Sequence, residues 1–173
     1  MYKKIIFLLL FAIVFSPLVA QDAKNGSIGV GIGVPYGAIG FNAEINLLKY
    51  LSLSGGLGTT IFAGTAYAFG TRIYVRPTGE TWRPRFSAHY GINSIIKLDT
   101  HTDGQKFTGL SLGAGIQGMF GERKRSGFDF EVVYLATTGG LDDEIERINQ
   151  SGNYSHIDSP GKIKLLFGYR FGF

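Results

Sequence analysis

Apolar residues occupy every second position at the end of the chain, from Ile163 to the terminal Phe173. The positions between them include Lys164, Gly168 and Arg170. A two-residue period places successive side chains on opposite faces of a β-strand, whereas a helix would scatter them around its circumference. The chain end therefore predicts a strand with one apolar face and one polar face.

Seven earlier segments alternate in the same way and are separated by turn residues. With the last one, the predicted strands span residues 27–34, 39–46, 51–58, 66–76, 85–93, 110–117, 128–134 and 162–173. Many of the 26 glycines fall on the polar face of these segments, which is typical of narrow barrel walls. The sequence predicts an all-β chain, an eight-stranded antiparallel up-and-down barrel.

The first twenty residues have the layout of a secretory signal peptide. Lys3 and Lys4 form a positive start, an apolar run follows from Ile5 to Phe15, and Ala20 provides a small residue for cleavage. A retained anchor is the alternative, but the run is far shorter than the ~20 residues that span a bilayer. We predict a signal peptide over 1–20 and one barrel domain over 21–173.

Composition excludes several classes of function. The chain has no cysteine, so it has neither disulfides nor thiolate metal ligands. Its formal net charge of +4 falls further when Lys3 and Lys4 are removed, which is too little to indicate a nucleic-acid partner. We expect no cofactor.

The alternation does not say whether the apolar face of the strands points out of the barrel or into its interior. A soluble ligand-binding barrel packs its apolar face inward, and a membrane barrel turns it to lipid. The predicted connections after strands 2, 4 and 6 are compact, and those after strands 3, 5 and 7 are longer, with the first connection an exception. Short turns at one end and longer loops at the other favour a transmembrane barrel.

The segment Leu165–Phe173 resembles the C-terminal targeting signature of outer-membrane barrels, which ends in a terminal Phe. With the strand count, residues 27–173 resemble the small OmpA/OmpX-like barrels. The resemblance implies a monomer in the bacterial outer membrane, in contact with its lipids and lipopolysaccharide. It also implies recognition by the barrel-assembly machinery through four aromatic residues: Phe167, Tyr169, Phe171 and Phe173.

Eight strands enclose an interior that side chains can just fill. The inward face of the predicted strands carries charges of both signs: Glu44, Arg72, Arg85, Asp129, Glu131, Lys164 and Arg170. Buried charges are tolerated only when they are paired, so we predict a salt-bridged network that closes the lumen, with His89 as an additional inward residue. A narrow pore is the alternative.

Polar residues of two predicted loops raise the question of catalysis or metal binding at the rim: Asp99, His101, Asp103, His156 and Asp158. The His-x-Ser pair with a downstream Glu that is typical of lipid A deacylases is absent from the sequence, and the polarity of a loop is enough to explain these residues. The acidic segment Asp142–Glu144 is explained by a solvated loop with a helical turn at 141–148. The GxGxxG match at 113–118 falls in the alternating pattern of the sixth predicted strand and runs into the hairpin that follows, whereas a dinucleotide fingerprint needs a helix after it.

These observations predict a non-enzymatic outer-membrane barrel with a structural or surface-interaction role. Three alternatives stay open on sequence alone: a lipid-modifying enzyme with rim residues, a narrow pore, and a soluble ligand-binding barrel.

Overall fold

A computed structural model describes residues 26–61, 63–96, 104–151 and 160–173. The predicted signal peptide and the five polar rim residues, Asp99, His101, Asp103, His156 and Asp158, lie outside the described residues. The domain boundary at residue 21 therefore stays a prediction.

Eight antiparallel strands, each paired with its neighbours in chain order, close into a barrel because β8 pairs with β1. The strands are β1 (Gly26–Gly33), β2 (Ala38–Leu48), β3 (Leu51–Thr60), β4 (Gly64–Tyr74), β5 (Trp82–Ile96), β6 (Gln105–Phe120), β7 (Ser126–Leu135) and β8 (Ile163–Gly172). The predicted eight-stranded all-β barrel is confirmed.

The apolar face of every strand points outward. Large apolar side chains on this face are exposed, for example Phe41 at 64%, Leu57 at 60% and Phe86 at 61%. Charged residues on the other face, such as Arg72 and Asp129, are fully buried. The arrangement is the reverse of a soluble barrel with an apolar interior.

Several strand ends differ from the predicted ones. β5 begins at Trp82, inside the predicted turn 77–84, and β5 and β6 extend well beyond residues 93 and 110 to form a long hairpin. The predicted loop 60–65 is a tight turn, because Gly64 adopts a φ of +67° and the Thr60 hydroxyl accepts the Ala63 N–H at 2.9 Å. This connection is shorter than the one after β4, so the expected alternation of loop lengths is weaker than predicted.

A helix, α1 (Leu141–Ser151), lies in the connection between β7 and β8. Leu141, Ile145 and Ile148 pack on Ile96 and Phe107 at the far end of the β5–β6 hairpin. The helical turn predicted at 141–148 is thus longer and is held by apolar contacts. Among the residues that the structure describes, no helix combines the length and the apolar character needed to cross a bilayer.

Candidate functional site in the barrel lumen

The connection between β1 and β2 folds into the lumen instead of projecting from the barrel. Its three residues, Val34–Tyr36, form a single 3-10 turn and are all buried. Gly37 closes the turn in the left-handed region at a φ of +63°, and its N–H donates to the Val34 carbonyl at 3.0 Å. We call this segment the inner turn. The side-chain amide of Asn42 holds it by donating to the Pro35 carbonyl at 2.8 Å.

Glycines on the lumen face make room for the inner turn. A Cβ atom at Gly56 would overlap the Pro35 carbonyl oxygen, and one at Gly168 would overlap the Tyr36 hydroxyl. A Cβ at Gly58 would overlap the Tyr36 carbonyl. These glycines therefore allow a close approach of the inner turn to the wall, which is more specific than the narrow wall expected from the sequence.

Arg170 lies at the centre of the buried charge network. Its Nη1 donates to Asp129 Oδ2 at 3.2 Å and to Asn42 Oδ1 at 2.9 Å, and its Nε donates to Ser27 Oγ at 3.0 Å. The Tyr36 hydroxyl accepts from Arg170 Nη1 at 3.3 Å and donates to Asp129 Oδ2 at 3.1 Å. Tyr36 thus links the inner turn to the charge network by hydrogen bonds.

Two further guanidinium groups complete the pairing. Arg72 Nη1 donates to Glu44 Oε2 at 2.5 Å, and Glu44 also accepts from the Tyr74 hydroxyl at 2.5 Å. Arg85 contacts Asp129 and donates to Glu131 Oε2 at 2.5 Å. Three arginines thus face three carboxylates, none of the six more than 1% exposed: Glu44, Arg72, Arg85, Asp129, Glu131 and Arg170. Burial of this many charges is tolerated because each has opposite-charge partners in hydrogen-bonding geometry.

Neighbouring polar residues extend the network along the lumen. His89 is buried, with Nε2 at 3.5 Å from Glu131 Oε1. On the side of the network that faces the turns after β2, β4 and β6, Arg83 makes two contacts. Its guanidinium lies 3.6 Å from the centroid of the Tyr74 ring and donates to Gln117 Oε1 at 3.0 Å. A cavity at this end, beside Arg83 and Gln117, has a volume of only about 20 Å³, which is room for about one water molecule.

The structure brings together six of the seven charged residues predicted for the lumen and leaves Lys164 apart. Lys164 is half-buried near the opposite end of the barrel and forms no ion pair with any carboxylate in the described ranges. It lies six residues before Arg170 on β8, which corresponds to about 20 Å along a strand. The alternation of residues gives the face of a strand correctly but not the height along the barrel.

Two tyrosines of the network are absent from the set predicted from the sequence: Tyr36, which lies in the short turn between the first two predicted strands, and Tyr74, whose hydroxyl donates to Glu44. Tyr74 shares the polar face of β4 with Arg72, so its position was available from the alternation. The available signal for Tyr36 was the concentration of glycines on the inward faces of β1, β3 and β8, since a lumen wall without side chains has space for an inserted turn.

Three of the C-terminal aromatic residues, Phe167, Tyr169 and Phe171, lie on the outer face of β8, and Phe173 follows directly after the strand. Tyr169 contacts Phe171 and Phe128 with ring centroids 5.0 and 5.3 Å apart. The Phe173 N–H donates to the Gly26 carbonyl at 3.1 Å, so the terminal residue extends the seam at which β8 meets β1.

Other sequence motifs receive no chemical role from their positions. Gly113–Gly118 lies within β6, and Arg123–Arg125 lies in the turn between β6 and β7. Within the described part of the chain, no group of three or more His, Asp and Glu residues is arranged to hold a metal ion.

Comparison with known proteins finds a likeness in fold. No protein-family model matches the sequence. No curated protein matches it either. Among solved structures, the chain is similar to the N-terminal β-barrel domain of Pseudomonas aeruginosa OprF, with a TM-score of 0.57 and 17% sequence identity. The match covers 88% of this chain and 100% of that domain. At this identity, the likeness shows a shared barrel fold.

Proposed function

We propose that the chain is an integral outer-membrane β-barrel with a structural or surface-interaction role, and that its lumen is closed. The observation that carries the proposal is the continuous apolar outer face of the barrel. Monomeric soluble proteins rarely expose contiguous apolar patches larger than a few hundred Å². Here exposed large apolar side chains occur on all eight strands, for example Val30, Phe41, Leu57, Phe69, Phe86, Leu112, Phe130 and Phe167. Lipid is the solvent that such a surface requires.

The aromatic residues support the same proposal. Trp82, Phe120, Phe128 and Tyr169 form a chain of ring contacts on the outer face, near the turns that follow β4 and β6. Aromatic girdles at the membrane–water interfaces are a common feature of outer-membrane barrels. The likeness in fold to the OprF barrel domain agrees with this location, and with the resemblance to small OmpA/OmpX-like barrels.

The proposal assigns partners to two parts of the barrel. The outer face contacts outer-membrane lipids, with lipopolysaccharide in the outer leaflet. The barrel-assembly machinery recognises Phe167, Tyr169, Phe171 and Phe173, which lie on the accessible face of the closing strand β8 or, for Phe173, directly after it.

A single experiment tests location, closure and the assembly signal. Cells that produce the full chain are fractionated, and the outer membranes are analysed by gel electrophoresis with and without boiling. We expect a band in that fraction whose mobility shifts on boiling, as for a detergent-resistant closed barrel. Phe173→Ala is expected to lower its amount in the outer membrane, whereas Phe120→Ala, which removes another outward ring, is the matched control. A soluble protein whose mobility does not shift would overturn the proposal.

The buried network favours a non-conducting barrel over the narrow pore. Six paired charges and the inner turn cross the lumen at the end nearer the turns after β2, β4 and β6, where only about 20 Å³ is left beside Arg83. We therefore expect planar bilayers that contain the purified protein to remain silent; stable unitary conductance would contradict the closed lumen.

A further inference from the structure

A fourth arginine is buried at the end of the lumen that faces the turns after β2, β4 and β6. Arg83, near the start of β5, is only 4% exposed. It does not belong to the six charged residues that pair with one another, and no carboxylate of the described residues lies within ion-pair distance of its guanidinium. Four buried arginines thus face three buried carboxylates in the described part of the chain, which leaves a surplus of one guanidinium group.

The contacts of Arg83 are all with neutral groups. Its Nη1 donates to Gln117 Oε1 at 3.0 Å, its Nη2 donates to Thr78 Oγ1 at 3.4 Å, and the guanidinium packs over the Tyr74 ring. The Nε atom is buried and has no hydrogen-bond partner among the described residues. A buried charge without an opposite charge is costly, and buried donors are nearly always paired. The site therefore lacks one acceptor, and a negative charge would suit it best.

The cavity of about 20 Å³ beside Arg83 has room for that acceptor. Thr78, Gln117 and the half-buried Lys124 also border it. Its volume corresponds to about one water-sized particle, so a monatomic anion fits and a bulky organic anion does not. Because the exposed Gly79 of the turn after β4 forms part of the border, the cavity lies at the mouth of the lumen, within reach of the solvent.

Two carboxylates border the same cavity, but neither neutralises Arg83. Glu44 accepts from Arg72 Nη1 at 2.5 Å and from the Tyr74 hydroxyl at 2.5 Å, and Arg170 Nη2 lies 3.3 Å from its Oε2. The charge of Glu44 is thus compensated by two other arginines. Glu80 is exposed at the rim of the cavity, where water screens its charge. An anion next to Arg83 therefore meets an uncompensated positive charge.

We propose that this cavity binds one small monovalent anion of the size of chloride, which enters from the solvent and accepts the Nε–H of Arg83. Lys124, at the border of the cavity, adds a second positive charge nearby. The bound anion neutralises the surplus guanidinium group. The ion pairs behind it close the lumen, so the anion site is a dead end and not part of a pore. This goes beyond the proposed function, which assigns no ligand to the barrel.

The effect of chloride on stability tests the proposal. The full barrel in detergent micelles is unfolded in urea at constant pH, in sodium chloride or in the same concentration of sodium gluconate, whose anion is too large for the cavity. The folded fraction is read from unboiled gels. We expect the unfolding equilibrium constant to be about tenfold smaller in chloride, which is the effect of a ligand at about ten times its dissociation constant. Equal unfolding constants in the two salts would overturn the proposal.

Two arginine variants separate binding at this site from other effects of the salts. Arg83→Met removes the charge and keeps the length of the side chain, so the difference between chloride and gluconate should fall below about twofold. Arg76→Met is the matched control, because Arg76 is exposed and does not border the cavity. It should keep the full chloride effect. An undiminished chloride effect in Arg83→Met would place the anion elsewhere and overturn the assignment.

Bromide locates the anion in the unmodified barrel, so this measurement does not depend on the folding of a variant. Crystals grown without halide are soaked in sodium bromide, and anomalous scattering marks the positions of the bromide ions. We expect an anomalous peak in the cavity within hydrogen-bond distance of Arg83 Nε. A cavity that contains only water after the soak would overturn the proposal.

Discussion

The two ends of the lumen differ in what fills them, although the same strands build both. At the end towards the turns after β2, β4 and β6, which we call the closed end, three arginines and three carboxylates leave about 20 Å³ of free space. At the opposite end, which we call the open end, a cavity of about 400 Å³ is bordered by Val34, Asn93, Ser94 and Lys164; Asn93 Oδ1 and the Ser94 hydroxyl have no hydrogen-bond partner among the described residues. The inner turn separates the two regions, with Val34 facing the cavity and the Tyr36 hydroxyl bonded into the network.

The difference shows how an eight-stranded barrel can be stabilised by buried ion pairs at one end of its lumen and still keep free space at the other. Strand number fixes the width of the lumen, so its contents decide whether space remains. At one end, long side chains of opposite charge meet across the lumen and satisfy one another. At the other, the described residues that line the cavity include a single charged side chain, Lys164, so no ion pair among them spans the lumen.

The largest expected effect comes from removing one carboxylate of the closed end. Asp129→Ala removes the carboxylate that Arg72, Arg85 and Arg170 share, and leaves these three guanidinium groups with only Glu44 and Glu131 as close carboxylate partners. Breaking a buried ion pair by deleting one partner typically costs about 3–5 kcal/mol. The free energy of unfolding in urea, with the folded fraction read from unboiled gels, measures the loss. Lys164→Met at the open end is the control and should change the stability by less than about 1 kcal/mol; equal losses in the two variants would abolish the proposed contrast between the ends.

A smaller effect is expected from two adjacent glycines of β3 that face opposite sides of the wall. A Cβ at Gly56 would overlap the Pro35 carbonyl of the inner turn, whereas a Cβ at Gly55 meets nothing within 4 Å. We expect Gly56→Ala to lower the free energy of unfolding by about 1–3 kcal/mol, since overpacking displaces the turn. Gly55→Ala should be neutral or slightly stabilising. Thermal unfolding of both variants measures the difference, and similar stabilities would show that the inner turn does not pack against β3.

The sequence predicts the wall of this barrel better than its contents. Alternation identified all eight strands and the face on which Glu44, Asp129 and Arg170 lie, because side-chain direction in a strand depends only on parity. It missed the inserted inner turn, because a three-residue connection has the same composition whether it points into the lumen or away from it. Parity also could not separate Lys164 from the six charged residues that meet in the lumen, since it carries no information about height along the barrel.

The open end was also less predictable because it depends on an irregular strand. The bulge at Asn93 and Ser94 breaks the two-residue period at the point where the cavity begins. The predicted strand ends at residue 93, since the alternation is lost there. Both failures occur at positions where the local rule is broken, and such positions are frequent at functional sites.

The smallest expected effect concerns the helix above the open end. Arg147 donates two hydrogen bonds to Glu144 in α1, at 2.9 and 2.6 Å, and holds the pKa of that carboxyl below its ordinary value. Because the pKa is lowered in the folded helix, this contribution to stability is present above the ordinary carboxyl pKa and is lost as the pH falls through the lowered one. The protection factors of the α1 amides, which are exchange rates corrected for the intrinsic effect of pH, should therefore fall modestly on acidification. The closest control is Glu144→Gln, in which this part of the pH dependence should vanish. If the variant and the unmodified protein responded alike, the pair would not hold the helix, and the packing of Leu141, Ile145 and Ile148 would be sufficient.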